Sequence, residues 1–173
     1  HDRGLVSQLD LGAFVDAHGG MVRGLAATCA PGQTGLHAWG ANRRGECGPS
    51  VALGDSCSEP VRVDWDLDGR RIRQIASETG ISAAVLDNGE VYTWGSTGGG
   101  RLGRDDPHGS GAAGASPGMD DVPRRVAALQ GCPVAFVSCS ATYAAAVTED
   151  GQLFSWGSFG EQQAPTLGHR HGE

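Results

Sequence analysis

IASETGISAAVLDNGEVYTWG, residues 75–95, lies without a gap over VSCSATYAAAVTEDGQLFSWG, residues 137–157. In each copy a short apolar run, Ile81 to Leu86 or Tyr143 to Thr148, meets a polar turn and then an alternating segment ending in Trp94-Gly95 or Trp156-Gly157. The turns, Asp87-Asn88-Gly89 and Glu149-Asp150-Gly151, supply the positive φ that a tight hairpin demands, so each copy predicts an antiparallel strand pair. Upstream, IRQIAS and AFVSCS read as a third strand. A fourth is expected at Pro60-Val61-Arg62-Val63 and Pro123-Arg124-Arg125-Val126, where Pro opens a short run, as it does at strand starts and edges.

A third copy, AHGGMVRGLAATCAPGQTGLHAWG at residues 17–40, fits if its hairpin carries about three extra residues around Pro31 to Gly35. The tryptophans Trp39, Trp94 and Trp156 are then spaced by 55 and 62 residues, one supersecondary unit per step. A four-stranded unit of about 50 residues cannot bury both of its faces, whereas units stacked radially cover one another. The expected fold is therefore all-β, a β-propeller of four-stranded antiparallel blades with about three blades present. The repeats are expected near 14–63, 72–126 and 134–173, all within one domain. Ala83, Ala84, Ala144, Ala145 and Ala146 suit crowded strands near an axis, and the Trp rings offer large area for burial between blades.

Composition agrees. The 173 residues include 29 glycines, 39% hydrophobic residues and a formal net charge of -7. No apolar run approaches the roughly 20 residues that cross a bilayer, and the N-terminus lacks the order of a signal peptide. The first residue is His1 rather than Met and the last residues stop inside a repeat, so a fragment of a longer chain is expected. All thirteen basic residues are Arg. The absence of Lys excludes a Walker-type phosphate Lys, a Schiff-base Lys and a Lys general base. Five cysteines, Cys29, Cys47, Cys57, Cys132 and Cys139, are an odd number without CxxC spacing, which suggests neither a disulfide framework nor a zinc site and fits a reducing compartment. An intracellular location follows as the expectation: cytoplasm, nucleus or an organelle matrix.

The pattern resembles the regulator-of-chromosome-condensation repeat, in which Asp-Gly is followed by apolar-Tyr-x-Trp-Gly and a closing Gly-x-Leu-Gly. Gly100-Arg101-Leu102-Gly103 and Leu167-Gly168 repeat that closing signature, and Gly45-Glu46-Cys47-Gly48 is a looser version. The likeness covers nearly all of residues 14–168. Where the family often places Cys-Gly and then His-Ser, this chain has Ser77-Glu78 with Ile81-Ser82 and Cys139-Ser140 with Tyr143-Ala144, and the first copy has Gly19-Gly20 and Arg23-Gly24, so it resembles a divergent member. The resemblance implies a seven-bladed ring, of which three copies are less than half.

Candidate sites divide into those the repeat already explains and those it leaves over. Gly98 to Gly103 satisfies G-x-G-x-x-G, but no helix pattern follows to trap an anion, and the repeat accounts for the same glycines. His18, His37 and His108 stand apart from any nucleophile, no GxSxG elbow exists, and His169-Arg170-His171 reads as a plain loop. No catalytic, cofactor or metal residue is therefore assigned. Arginines cluster at Arg43-Arg44, at Arg70-Arg71 with Arg73, at Arg101 with Arg104, and at Arg124-Arg125, which read either as solvated strand ends or as a phosphate- or acid-binding rim, while the acidic total argues against direct nucleic-acid binding. The Gly/Ala/Ser/Pro-rich stretch 104–121 is expected to be a mobile insertion. Partner contacts are accordingly expected at Arg43, Arg44, Arg101, Arg104, Asp105, Asp106 and His108, on loops spanning 41–59 and 104–121.

The function expected is a non-catalytic protein-interaction scaffold without a cofactor. The resemblance implies two alternatives: exchange of guanine nucleotide on a small Ran-like GTPase through binding alone, and a substrate-binding propeller within a larger ubiquitin ligase. It also points to a plant ultraviolet-B photoreceptor that depends on clustered tryptophans. Only Trp65 lies outside the repeat positions here, which speaks against that role.

Overall fold

The computed structural model describes residues 24–30, 33–49, 56–104, 118–159 and 162–163. Among the described residues, eleven strands lie in three antiparallel sheets. The first contains β1 (Gly24–Ala30), β2 (Gln33–Ala41) and β3 (Ser56–Arg62) in the order β1-β2-β3. The second runs β4 (Ile72–Glu78), β5 (Ile81–Leu86), β6 (Val91–Ser96) and β7 (Met119–Arg125) in the order β4-β5-β6-β7. The third holds β8 (Val134–Cys139), β9 (Tyr143–Thr148), β10 (Leu153–Phe159) and a two-residue β11 (Gln162–Gln163).

The aligned copies fold alike down to their irregularities. Gly89 and Gly151 take φ of 79° and 85° in the hairpin turns, and each amide donates back to the last residue of the preceding strand, Leu86 or Thr148. Arg73 and Ala135 are extra residues in matching bulges of β4 and β8, where the register jumps from Ile72 to Gln74 and from Val134 to Phe136.

The fourth strands begin earlier than the sequence predicts. β3 starts at Ser56 rather than Pro60, and β7 starts at Met119 rather than Pro123, so the last residues of the expected insertion 104–121 are strand. In both sheets the partner register jumps around the Trp: Gly40 faces Cys57 and Ala38 faces Val61, while Gly95 faces Asp120 and Thr93 faces Arg124. Pro60 and Pro123 close these bulges on edge strands, where a missing N–H breaks no ladder bond. A proline that reads as a strand opening is thus the mark of a bulge inside one.

Two apolar layers join the sheets. Leu36, Ala38 and Val63 of the first pack against Ile72, Ile75, Ala84, Leu86 and Trp94 of the second. On the second sheet's other face, Ile81, Ala83, Val85 and Val91 meet Val134, Val137, Ala144, Ala146 and Trp156 of the third. Gln74 also bridges the second and third sheets: its Nε2 donates to the Val137 carbonyl at 2.6 Å and its Oε1 accepts from the Val137 amide at 2.7 Å. β4 packs against both β1 and β8, so the first strands of successive sheets are neighbours, as radial stacking requires.

Candidate functional site

Each Trp-Gly pair ends a hairpin strand and begins the loop toward the edge strand, and the loop is held by the next sheet. Trp94 Nε1 donates to the Glu46 carbonyl and Trp156 Nε1 to the Arg101 carbonyl, both at 2.9 Å. Glu46 and Arg101 each stand seven residues after the Trp of their own sheet, so the bond recurs with the repeat. Gly95 and Gly157, at φ of 117° and 106°, let the chain pass where a Cβ would come within 2.5 Å of the Gly80 or Thr142 carbonyl oxygen. Those same carbonyls accept from the amides of Ser96 and Ser158. Trp39 is half-buried, whereas Trp94 and Trp156 are fully buried.

The loops after Trp39 and Trp94, together with the β4–β5 turn, make one end of the structure. Arg43 and Arg44 are exposed on the first loop. Arg101 and Arg104 depart from the predicted exposed rim. Arg101 is 9% exposed; its Nε donates to the Gly98 carbonyl at 2.7 Å and its Nη1 to the Ala141 carbonyl. Burial, and then the charge of Arg44, holds the Arg101 guanidinium below its ordinary pKa.

Arg104 is clamped to Asp120 at 2.8 Å, with both side chains largely buried, and Arg124 Nε reaches the same carboxylate oxygen at 2.9 Å. Burial alone would raise the Asp120 pKa, but the Arg104 hydrogen bond and the charges of Arg104 and Arg124 outweigh it and bring the carboxyl below the usual range. This clamp joins the residue before segment 105–117 to the second residue of β7. Asp105, Asp106 and His108 lie outside the described residues, as does the Leu167-Gly168 signature.

Other sequence candidates resolve into structure. Gly98–Gly100 form a short 3-10 turn with no helix behind it, and Thr93 Oγ1 donates to the Leu102 carbonyl at 2.7 Å, so the G-x-G-x-x-G string is a packed part of the Trp-Gly loop. Burial, with Glu78 adding, pushes the Cys139 thiol up to about 12, which leaves it protonated and unreactive at neutral pH. Among the described residues no group of three or more His, Cys, Asp or Glu is arranged to hold a metal ion. No helix of the described residues is long and apolar enough to cross a membrane.

At the opposite end, between the β5–β6 hairpin and the link from β7 to β8, a cavity of about 180 Å³ is lined by Asn88, Glu90, Arg125, Gln130, Cys132 and Pro133. Arg125 Nη1 meets Glu90 Oε1 at 2.7 Å, and the Glu90 carboxyl sits below its ordinary pKa through hydrogen bonds from Asn88 and then Arg125. The charges lining this cavity are paired with each other. Sequence reasoning missed Gly80, Ser96, Asp120 and the Glu46 carbonyl, because their roles come from neighbours brought in by the next sheet.

Recurrent antiparallel sheets, the second and third each capping the previous Trp-Gly loop with its own indole, define a β-propeller of repeated blades. Residues 88–147 match the family described as Regulator of chromosome condensation (RCC1) repeat, and the chain belongs to that family as a divergent, RCC1-like stretch of propeller. It is 35% identical over 136 residues to the RCC1 domain-containing protein RUG3, mitochondrial, of Arabidopsis thaliana, covering 78% of this chain and 29% of that protein. It is 32% identical over 149 residues to the human E3 ubiquitin-protein ligase HERC2, covering 83% of this chain and 3% of that one. Among solved structures, Prp20p from Saccharomyces cerevisiae superposes with a TM-score of 0.65 at 25% identity, over 85% of this chain and 33% of that chain. The chain thus spans about a third or less of the relatives it matches.

Proposed function

We propose that this stretch of propeller is a non-catalytic protein-interaction module whose recognition surface is the end that carries the Trp-Gly loops. One observation carries the reading. The same strand pair two residues beyond each Trp, Ala41 with Ser56, Ser96 with Met119 and Ser158 with Gln163, is bridged by connections of very different length, while the sheets beneath repeat. The faces that join successive sheets are occupied by packing against one another, so variation concentrates in the loops, where scaffolded proteins place their contacts. Arg43 and Arg44, the clamped base at Arg104, and Asp105, Asp106 and His108 then belong to one contact surface, with repeat units at 14–63, 72–126 and 134–173.

A photo-crosslinking residue placed at position 43 tests this. A discrete adduct to a protein partner is expected, lost on Arg43→Glu with Arg44→Glu, and absent when the crosslinker is moved to position 71 at the other end. Equal adducts at 43 and 71, or enzymatic turnover that tracks a single side chain, would remove the reading.

A second reading is nucleotide exchange on a small GTPase. It is supported by the likeness to Prp20p, whose binding to Gsp1p and histones has been studied. Accelerated nucleotide release from a Ran-type GTPase by the chain would favour it, and no acceleration would leave the interaction module. The likeness to HERC2 supports the third reading, a substrate-binding propeller of a larger ligase, which the sequence flanking this stretch would test.

A further inference from the structure

We propose that Arg44 and Arg101 together seat a single carboxylate presented by a partner protein. This deepens the interaction-module reading and rests on it. The two arginines come from different loops, Arg44 from the one after Trp39 and Arg101 from the one after Trp94, yet they converge on one point. Arg44 Cδ lies 3.0 Å and Arg101 Nη1 3.5 Å from where a Cβ on Gly80 would stand. A Cβ there would crowd Arg44 Cδ, so Gly80, at φ of 79°, lets the two arginine side chains close over the same turn.

Arg101 uses two of its five N–H donors, both on neutral carbonyls, those of Gly98 and Ala141. Neither guanidinium forms an ion pair among the described residues, in contrast to Arg71, Arg73, Arg104, Arg124 and Arg125, which all do. A guanidinium that is 9% exposed and faces a second cation is a costly arrangement, and an arriving anion relieves it. Burial and the nearby Arg44 charge both weaken the hold of Arg101 on its proton, as expected of a charge short of a partner.

A further polar group is left over at the same point. Ser96, whose Cβ is 3.5 Å from where a Cβ on Gly80 would stand, is 1% exposed, and its Oγ finds no hydrogen-bond partner among the described residues. Its counterpart Ser158 is half-buried. A buried hydroxyl without a partner costs about 1–3 kcal/mol relative to a bonded one, so a seat that supplies an acceptor gains from it.

The chemistry favours one carboxylate over a polyanion. Two forked donors on a common point match the two oxygens of a carboxylate. Acidic groups border the seat: the Glu46 carboxylate accepts from the Arg44 amide at 2.6 Å, Glu78 caps Thr79 beside Gly80, and Asp121 abuts Gly45. With a net charge of -7, this surface repels an extended phosphate backbone and admits a single acidic side chain between its own acids.

The test is a titration of the 173-residue chain with an end-blocked hexapeptide of five serines and one glutamate, followed through the arginine Nε–Hε resonances, with an end-blocked hexaserine peptide and inorganic phosphate as parallel arms. Saturable shifts are expected at Arg44 and Arg101, with the Trp156 indole resonance reporting that the loop keeps its fold. Arg44→Gln is expected to weaken binding by at least about tenfold, while Arg71→Gln at the other end leaves it unchanged. Binding that survives Arg44→Gln, shifts spread evenly over all arginines, or phosphate bound as tightly as the peptide would each overturn the proposal. A failure here alongside a surviving crosslink at position 43 would leave the interaction module standing and remove only the carboxylate seat.

Discussion

A single atom of each buried tryptophan explains why the Trp-Gly signature repeats. The ring fills the apolar layer, and Nε1 reaches a carbonyl of the preceding sheet's loop, so one side chain supplies both packing area and the cap of a turn. Trp156→Phe keeps most of the ring but leaves the Arg101 carbonyl without that donor, and a loss of about 1–3 kcal/mol is expected in urea unfolding. Gly103→Ala tests the same joint from the other side. Its Cβ would come within 2.6 Å of Trp156 Nε1, and Gly103 stands at φ of 68°, so a loss of about 2–4 kcal/mol is expected, with Gly131→Ala, at positive φ but with open space around it, costing less. Equal costs at both glycines would show that backbone conformation alone, without the indole contact, sets the penalty. At this scale the sequence was legible wherever chemistry is local: Asn88-Gly89 and Asp150-Gly151 announce their turns. It was illegible where an acceptor is a backbone carbonyl, because Glu46 and Arg101 share a role that their side chains do not reveal.

At the scale of elements, the edge strands separate what the sequence shows from what it hides. Pro60 and Pro123 were visible as strand punctuation, but the bulge in which they sit depends on the Trp opposite, and the strand residues before them, Ser56 to Glu59 and Met119 to Val122, carry no apolar alternation to mark them. The arginine pattern was equally partial: nothing local marks Arg104 as facing inward, since Asp120 lies far along the chain and reaches it only through the pairing of β6 with β7. That clamp predicts a pH dependence. The folded Asp120 pKa lies below its unfolded value, so the stabilisation is full above the unfolded carboxylate pKa and is lost as pH falls through the folded one. Asp120→Asn is therefore expected to reduce stability at pH 7 and to flatten the fall that sets in as pH drops below the ordinary carboxylate pKa, read from urea midpoints across the acid range. A variant whose midpoints run parallel to those of the parent chain would show that other carboxyls carry the acid sensitivity.

Across the whole molecule, the third sheet repeats the second with one difference, and that difference bears on how the chain behaves in solution. Ile81, Val85 and Val91 are at most 1% exposed because the third sheet covers them; their counterparts Tyr143, Val147 and Leu153 are 38%, 36% and 37% exposed. Phe136 takes the position of Gln74 and is 55% exposed. The face therefore has the composition of a surface between blades while its side chains are more than a third exposed, and an apolar sheet face of this kind associates when its concentration allows. The 173-residue chain is expected to self-associate in sedimentation velocity, and Phe136→Gln, which restores the polar residue of the covered sheet, is expected to lower the association constant about tenfold or more. Because Gln74 makes its two bonds to Val137 across the join between sheets, a glutamine introduced at position 136 of a monomer has only water to bond, so the variant loses apolar area without losing a contact within the chain. A parent chain that stays monomeric at high concentration would mean that exposure at Phe136, Val147 and Leu153 is too dispersed to drive association, and the four-stranded unit would then be more self-sufficient than radial stacking assumes.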